Sequence, residues 1–506
     1  MKLPVNVLFL AAEADPFIKV GGLGDVAGSL PLALRSLKRP TSRMSGPKAS
    51  AEDLAVDVRL VIPLHKAIRN QNLQLSSVTE FDIDHSQGKI PVQVFETHLN
   101  GLIVYLVASD LISNDEDIYH PDAGQDGPKY TLFSLAALEL AHRLNWVPDV
   151  LHANDWHTAL AVYALNRRRA TERFFKKTTS LLGVHNMPYL GVGAGAALLP
   201  FGLEPAYGSA LPWWSQDMPL ALGLLAADHI VAVSPSYAQE ILTPAFGSGL
   251  HEFLQTRSQD ITGILNGLDI ESWEPKTDNA LTANYSWGNL DDRLDNKLAL
   301  QNELRLPIDP GIPVISMITR LDPQKGVDLL PDALLQVGDL EWQAVILGSG
   351  DPTLEGMIRS LEVSFPGRVR AVVGFDPKLS RRIYSAADAI LLPSRYEPCG
   401  LAQMIAMRYG CVPIAHATGG LRDTILDYAD FGQSTGFLFT GATSKNLATA
   451  VRRALQVYSQ PEVWRGLQVR GMQKDFSWKS SAHKYFDLYV SIITSYRQKK
   501  LHKVKS

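Results

Sequence analysis

Sulfur, long apolar runs and one-sided charge are what this chain has least of. Cys399 and Cys411 are its two cysteines, too few for a disulfide framework and suited to a reducing compartment. The net charge is −4, with 20% charged residues, so no basic excess speaks for nucleic acid. No apolar run approaches the length of a bilayer span, and no membrane partner is expected. The start, MKLPVNVLFLAAEADPF, carries one lysine and places Glu13 and Asp15 where a cleavage site would lie. It reads as a first β-strand rather than a signal peptide, and a cytoplasmic protein is expected. His152 and His157 invite a metal, but neither an H-E-x-x-H pattern nor a ligand-like carboxylate spacing accompanies them, so none is expected. What remains is a 506-residue chain with 46% apolar residues. That is the composition of a soluble globular protein too long for one core, and two or more domains follow.

The most informative stretch runs from Leu391 to Thr424. A short apolar strand ends at Pro393, and a polar break follows from Arg395 to Gly400. LAQMIAMRYG then has helical spacing until Gly410, CVPIA is a second apolar strand, and Thr418-Gly419-Gly420 is a second turn. Both loops fall at the carboxyl ends of neighbouring parallel strands, the edge where open α/β sheets bind ligands. Glu397 lies just before a helix. There an acidic residue is often only a cap, but the free N–H groups also make a nest for anions or hydroxyls.

Elsewhere the chain repeats this grammar. Val5 to Ala12 is a near-continuous apolar strand of the kind buried on both faces of a parallel sheet. Lys19-Val20-Gly21-Gly22-Leu23-Gly24-Asp25 then leads into a helix. Gly22, Gly24 and Gly28 miss the dinucleotide fingerprint by one residue, and a phosphate or sugar-nucleotide loop fits better. Arg39 to Asp57 has little periodicity and reads as an inserted mobile loop. IPVQVFET and GLIVYLVAS read as strands. The strand from Val150 to His152 ends at Asn154-Asp155, and the strand in TTSLLGV ends at His185-Asn186, so polar groups again gather at strand ends. From Pro313 a second strand–helix series begins, and its first strand-end loop carries Arg320 and Lys325, two cations suited to a diphosphate.

In combination, EPCGL followed by TGGLRDT, with KVGGLGDV, DWH, HN and TRLDPQKG, closely resembles the bacterial glycogen synthases and plant starch synthases. The resemblance implies an α/β GT-B architecture, two doubly wound Rossmann-like domains facing a central cleft. It divides the chain into an amino-terminal domain at 1–262, a nucleotide-sugar domain at 263–478, and a final helix at 479–506 returning to the first. The implied reaction transfers glucose, with retention, from ADP-glucose to the end of an α-1,4-glucan, without metal or other cofactor. Arg320 and Lys325 would hold the diphosphate, Glu397 the glucose hydroxyls, and the N–H groups of Cys399 and Gly400 the glucose–pyrophosphate moiety. Lys19, Gly22 and Asp25 would belong to a donor loop, and Thr418, Gly419 and Gly420 to the turn beside Glu397. His185 and Asn186 would meet the glucose, and Asp155 the acceptor hydroxyl or the sugar. Cys399 could instead be a nucleophile at a helix start, but no partner base accompanies it. The sequence departs from the family at Val20, Thr319 and His416-Ala417, where many bacterial members carry Thr, Ser and two arginines. Two other readings are a retaining GT-B enzyme with a small acceptor, and a weakly catalytic glucan-binding or priming protein. The oligomeric state is not legible.

Overall fold

The computed structural model describes residues 4–38, 55–429 and 432–505. The chain divides into two compact units, residues 1–267 with 478–506, and residues 268–477.

The first unit is built on a nine-stranded sheet in the order β3-β4-β5-β2-β1-β6-β7-β8-β9. Its strands are β1 (Val5–Leu10), β2 (Val56–Pro63), β3 (Ser76–His85), β4 (Gly88–Leu99), β5 (Leu102–Ala108), β6 (Val150–Asn154), β7 (Thr179–Val184), β8 (His229–Ala232) and β9 (Ile261–Gly263). The central strand β1 pairs in parallel with β2 from Val5 opposite Val56, and with β6 from Val7 opposite Val150. Its apolar run, interrupted only at Asn6, follows from this position, since helices cover both faces.

The β3–β4–β5 edge departs from the doubly wound pattern, because β4 runs antiparallel to both neighbours. On β3, Phe81 and Ile83 are buried while Asp82 between them is exposed. That alternation marks a sheet edge with one wet face. The expected loop at Arg39 to Asp57 is shorter than its sequence suggests. Residues 39–54 lie outside the described ones, but Val56 and Asp57 already belong to β2, paired with Val5 and Asn6 of β1.

The last helix, Trp478–Lys505, belongs to this unit. Its Tyr485, Tyr489, Ile492 and Ile493 join the core that holds Val5, Phe9 and Leu30. Each aliphatic side chain buried in this way contributes about 1.5–3 kcal/mol, so the helix is part of the core.

The second unit carries a six-stranded sheet in the order β12-β11-β10-β13-β14-β15. These are β10 (Val314–Ile318), β11 (Gln343–Gly348), β12 (Val369–Val373), β13 (Ala389–Leu392), β14 (Val412–His416) and β15 (Phe437–Phe439). All pairings among them are parallel. At the amino ends of β10 and β13 a buried ion pair joins Lys297 to Asp388 at 2.8 Å, and Asp388 also accepts the N–H of Val314 at 2.8 Å. The opposite ends of these strands lead into the loops of Lys325 and Glu397.

Candidate active site

Connections leave neighbouring parallel strands in opposite directions between β1 and β6 in the first sheet and between β10 and β13 in the second. Outside the carboxyl ends of strands at such a point, diverging loops leave a crevice for ligands. The sequence-predicted residues fall at both places.

In the second unit, Lys325 follows β10 in the turn Pro323–Lys325, and Glu397 follows β13. The Lys325 ammonium donates to Glu397 Oε1 at 2.9 Å and to Oε2 at 2.7 Å. The Ser394 hydroxyl donates to the same Oε2 at 2.8 Å. Both charged side chains are largely sheltered from solvent, so the pair fixes the loop geometry more firmly than a surface ion pair could. The two loops are also sewn together by backbone. Arg395 N–H donates to the Gln324 carbonyl at 2.7 Å, and Gln324 Nε2 donates to the Tyr396 carbonyl at 3.1 Å. The Arg395 guanidinium grips Asp328 at 2.8 and 2.6 Å and holds its carboxyl below the usual range. Arg320 is exposed, and no described residue bonds to its guanidinium.

Thr418, Gly419 and Gly420 are buried against the Glu397 loop. Gly420 N–H donates to the Glu397 carbonyl at 3.0 Å. A Cβ on Gly419 would lie 2.0 Å from the Glu397 carbonyl oxygen, and one on Gly420 2.0 Å from that of Cys399. These glycines are therefore required by the close approach of two backbones. Gln403, which the sequence reading did not single out, is buried and donates to the carbonyls of Cys399 and Gly400 at 3.0 Å each. Gly400 has φ +74, a conformation natural to glycine. The Cys399 thiol is buried.

In the first unit, Asp155 sits at the start of the helix Asp155–Thr171 with φ +54. Its Oδ1 accepts the backbone N–H of His185 at 2.8 Å and of Asn186 at 3.4 Å. The carboxylate expected near the acceptor hydroxyl or the sugar thus also holds the His185-Asn186 backbone. Burial raises its pKa, against the pull of His185 and these two N–H groups. His185 Nε2 lies 2.8 Å from Asn154 Oδ1, and the Asn154 amide NH2 donates to the Leu10 carbonyl. That makes Asn154 Oδ1 the acceptor and His185 Nε2 the protonated nitrogen, so Nδ1 carries the lone pair. Burial lowers the His185 pKa despite Asp155. Asn186 Oδ1 is buried with no hydrogen-bond partner.

Lys19 bonds Asp25 at 2.6 Å on the exposed glycine loop, where Gly22 faces open space. The organiser of that loop is Glu13, which the sequence reading used only against a signal peptide. Its buried carboxylate accepts the N–H groups of Val20 and Gly21, and Tyr119 bonds to it as well. Burial nevertheless raises its pKa. A charged residue closing an otherwise apolar central strand was the signal available for it. His152 is packed, its Nδ1 2.7 Å from the Tyr489 hydroxyl and its pKa pushed down to about 3 by burial. His157 lies among the rings of Tyr119, Tyr130 and Trp156. Among the described residues no cluster of three or more His, Cys, Asp or Glu could hold a metal ion. No described helix is long and apolar enough to cross a membrane.

Two doubly wound units with polar groups at both switch points define a GT-B glycosyltransferase, and comparison with solved structures agrees. The catalytic domain of starch synthase IV from Arabidopsis thaliana, solved with ADP and acarbose, superposes with a TM-score of 0.84 at 32% identity, covering 97% of this chain and 99% of that one. A sucrose-phosphate synthase from Thermosynechococcus elongatus shares the fold alone, with a TM-score of 0.60 at 19% identity. Residues 6–43 and 44–256 match the family described as starch synthase catalytic domain, and residues 302–465 match glycosyl transferases group 1. The glycogen synthase of Clostridium perfringens is 36% identical over 495 residues, 97% of this chain and 98% of that protein. That of Thermotoga maritima is 38% identical over 498 residues, 96% and 98% of the two chains. The chain belongs to the glycogen and starch synthase family.

Proposed function

We propose that the protein transfers glucose from ADP-glucose to the non-reducing end of an α-1,4-glucan, with retention and without a metal or other cofactor. The observation that carries this reading is the Lys325–Glu397–Ser394 cluster at the second switch point. An ammonium has three N–H donors, and Glu397 occupies two of them, leaving one for a phosphate oxygen. Arg320, without a partner among the described residues, adds a second cation, so a diphosphate can be neutralised by side chains alone. Glu397 accepts from Lys325 and Ser394 and keeps further lone pairs for sugar hydroxyls. In the first unit the orphaned Asn186 Oδ1 and the Nδ1 lone pair of His185 are acceptors suited to sugar hydroxyls.

Retention by double displacement would need a carboxylate free to attack the sugar. Glu397 is engaged by Lys325 and Ser394, Asp155 by the backbone at 185–186, and Glu13 by the backbone at 20–21. Front-face attack fits these groups better. The bond from glucose C1 to the phosphate oxygen breaks with its electron pair going to ADP. The acceptor hydroxyl adds to C1 on the same face, and its proton passes to the departing phosphate oxygen, which Arg320 and Lys325 stabilise. The first test is to give the pure protein glycogen with ADP-glucose or with UDP-glucose, measuring nucleotide released and glucose incorporated. A higher kcat/KM with ADP-glucose and matched release and incorporation are expected. A preference for UDP-glucose sinks the donor assignment, and release without incorporation sinks the transferase.

A further inference from the structure

The segment after Asn186 carries large aromatic side chains that the chemistry above does not use. Trp213 is 85% exposed and Tyr207 76% exposed. Isolated exposed apolar residues are ordinary, but a nearly bare tryptophan on a fixed support is not. The support is visible in the loop that bears both rings. Ala206 N–H donates to the Gln216 carbonyl at 2.8 Å and closes its base. Gln216 Nε2 donates across it to the Leu211 carbonyl at 3.0 Å, and Leu211 is buried. Ser215 is buried, and its hydroxyl bonds the Pro212 carbonyl at 2.9 Å. The neighbouring Trp214 packs on Gly249, where an added Cβ would come within 2.7 Å of the indole. Past the loop, a Cβ on Gly195 would meet the Asp217 carbonyl oxygen at 2.5 Å. The Trp214 indole is therefore packed in place, while the adjoining Trp213 stands exposed.

We propose that the Tyr207–Trp213 loop is a glucan platform, where the rings stack on pyranose faces of the acceptor chain away from its reacting end. This rests on the glucan synthase reading. The occupant follows from chemistry: an α-glucan is long, uncharged and presents flat C–H faces edged with hydroxyls. Trp and Tyr offer a rigid apolar face with a polar rim at little entropic cost, and no charged group is needed. A polymer reaching beyond the reacting unit gains from such a contact equally in ground and transition states, so the loop should act on KM alone.

Affinity electrophoresis through glycogen-containing gels tests the platform without donor or turnover. Wild type should be retarded, Trp213→Ala and Tyr207→Ala clearly less so, and Trp213→Tyr should recover most of the retardation. In kinetics, the KM for glycogen should rise about threefold or more in each alanine variant, the scale of one lost aromatic contact. The kcat, the KM for ADP-glucose and the KM for maltose should stay as in wild type. Unchanged retardation and glycogen KM in both alanine variants would overturn the platform, and so would an equal loss with maltose. A fall in molecular mass on size exclusion in either variant would also overturn it, since the rings would then join copies of the chain. If wild type transfers no glucose even to maltose, the glucan synthase reading fails, while the gel still reports on the loop.

Discussion

The two units carry their candidate residues at the switch points of unlike sheets, one mixed with nine strands and one parallel with six, and use opposite physical means. The second unit works with charge: Lys325 on Glu397, Arg395 on Asp328, and Arg320 open to the solvent. The first unit works with desolvation. Its carboxylates Glu13 and Asp155 are spent on backbone N–H groups, and burial lowers the pKa of His185. Such an arrangement suits neutral hydroxyls, which need aimed donors and acceptors. The cations of the other suit phosphate, whose charge must be compensated as it grows in the transition state. The proposed division of labour between the units would thus rest on burial as much as on residue type.

The largest expected effect breaks the charged half. Lys325→Ala should lower kcat by about 10²–10³-fold, as for other donors aimed at developing charge. The melting temperature should fall as well, since the sheltered Glu397 carboxylate loses its cation and keeps only Ser394. Near-normal turnover at saturating donor would refute the diphosphate assignment. Glu397→Gln should keep measurable activity, because an amide still bonds sugar hydroxyls, while Glu397→Ala should lose far more. A glucosyl ester trapped on Glu397 or Asp155 and found by mass spectrometry would overturn front-face attack.

A second contrast is acid sensitivity. Burial pushes His65 and His229 down to about 4 and His152 to about 3, all in the first unit. The second unit contains one histidine, His416. With folded values below the unfolded 6.5, these three histidines stabilise the fold fully above that pH. As pH falls from there the unfolded chain takes up protons that the folded one refuses, costing roughly 2 kcal/mol per histidine at pH 5. The raised carboxyls of Glu13, Asp126 and Asp155 work the other way, because the folded state keeps their protons to higher pH. They offset the loss only as pH falls through their own range. Amide exchange followed by mass spectrometry between pH 7 and 5 should show the first unit's core strands opening more. Equal loss of protection in β1 and β10 would count against this.

Close packing sets the next effect. Gly420→Ala puts a methyl on the Cys399 carbonyl, and the two backbones must part. Overpacking of this kind costs about 1–3 kcal/mol. A fall of several degrees in melting temperature with reduced kcat is expected, and an unperturbed variant would show that the loops are looser than described.

Much of this was legible because the family motifs lie at strand ends, where periodicity breaks into polar residues. Arg320, Lys325, Glu397, Asp155, His185 and Asn186 all stand at such breaks. What the sequence hid was pairing at a distance. Lys325 and Glu397 are 72 residues apart and meet only because β10 and β13 are neighbours. Gln403 looked like an ordinary helical residue, since its two bonds run back to carbonyls inside its own loop. Glu13 was visible but served another argument. The edge strand β3 was missed because SSVTEFDIDH has only two well-buried positions, Phe81 and Ile83.

The smallest predicted effect concerns Asp155, expected from the sequence near the acceptor hydroxyl or the sugar and bonded to the backbone at 185–186. If its carboxylate served the acceptor hydroxyl as a base, Asp155→Asn would remove the charge and with it most of the turnover. As a positioning residue it needs only an oxygen where Oδ1 now accepts two N–H groups, and asparagine supplies one. Asparagine also tolerates the positive φ of this position, while alanine does so poorly. Asp155→Asn is therefore expected to cost about tenfold or less in kcat, with an unchanged pH profile. Asp155→Ala should lose more, both in kcat and in stability, because the two N–H groups are left unpaired and the backbone strained. A loss of several hundredfold in Asp155→Asn, with the basic limb of the pH profile moved, would restore the carboxylate to the chemistry.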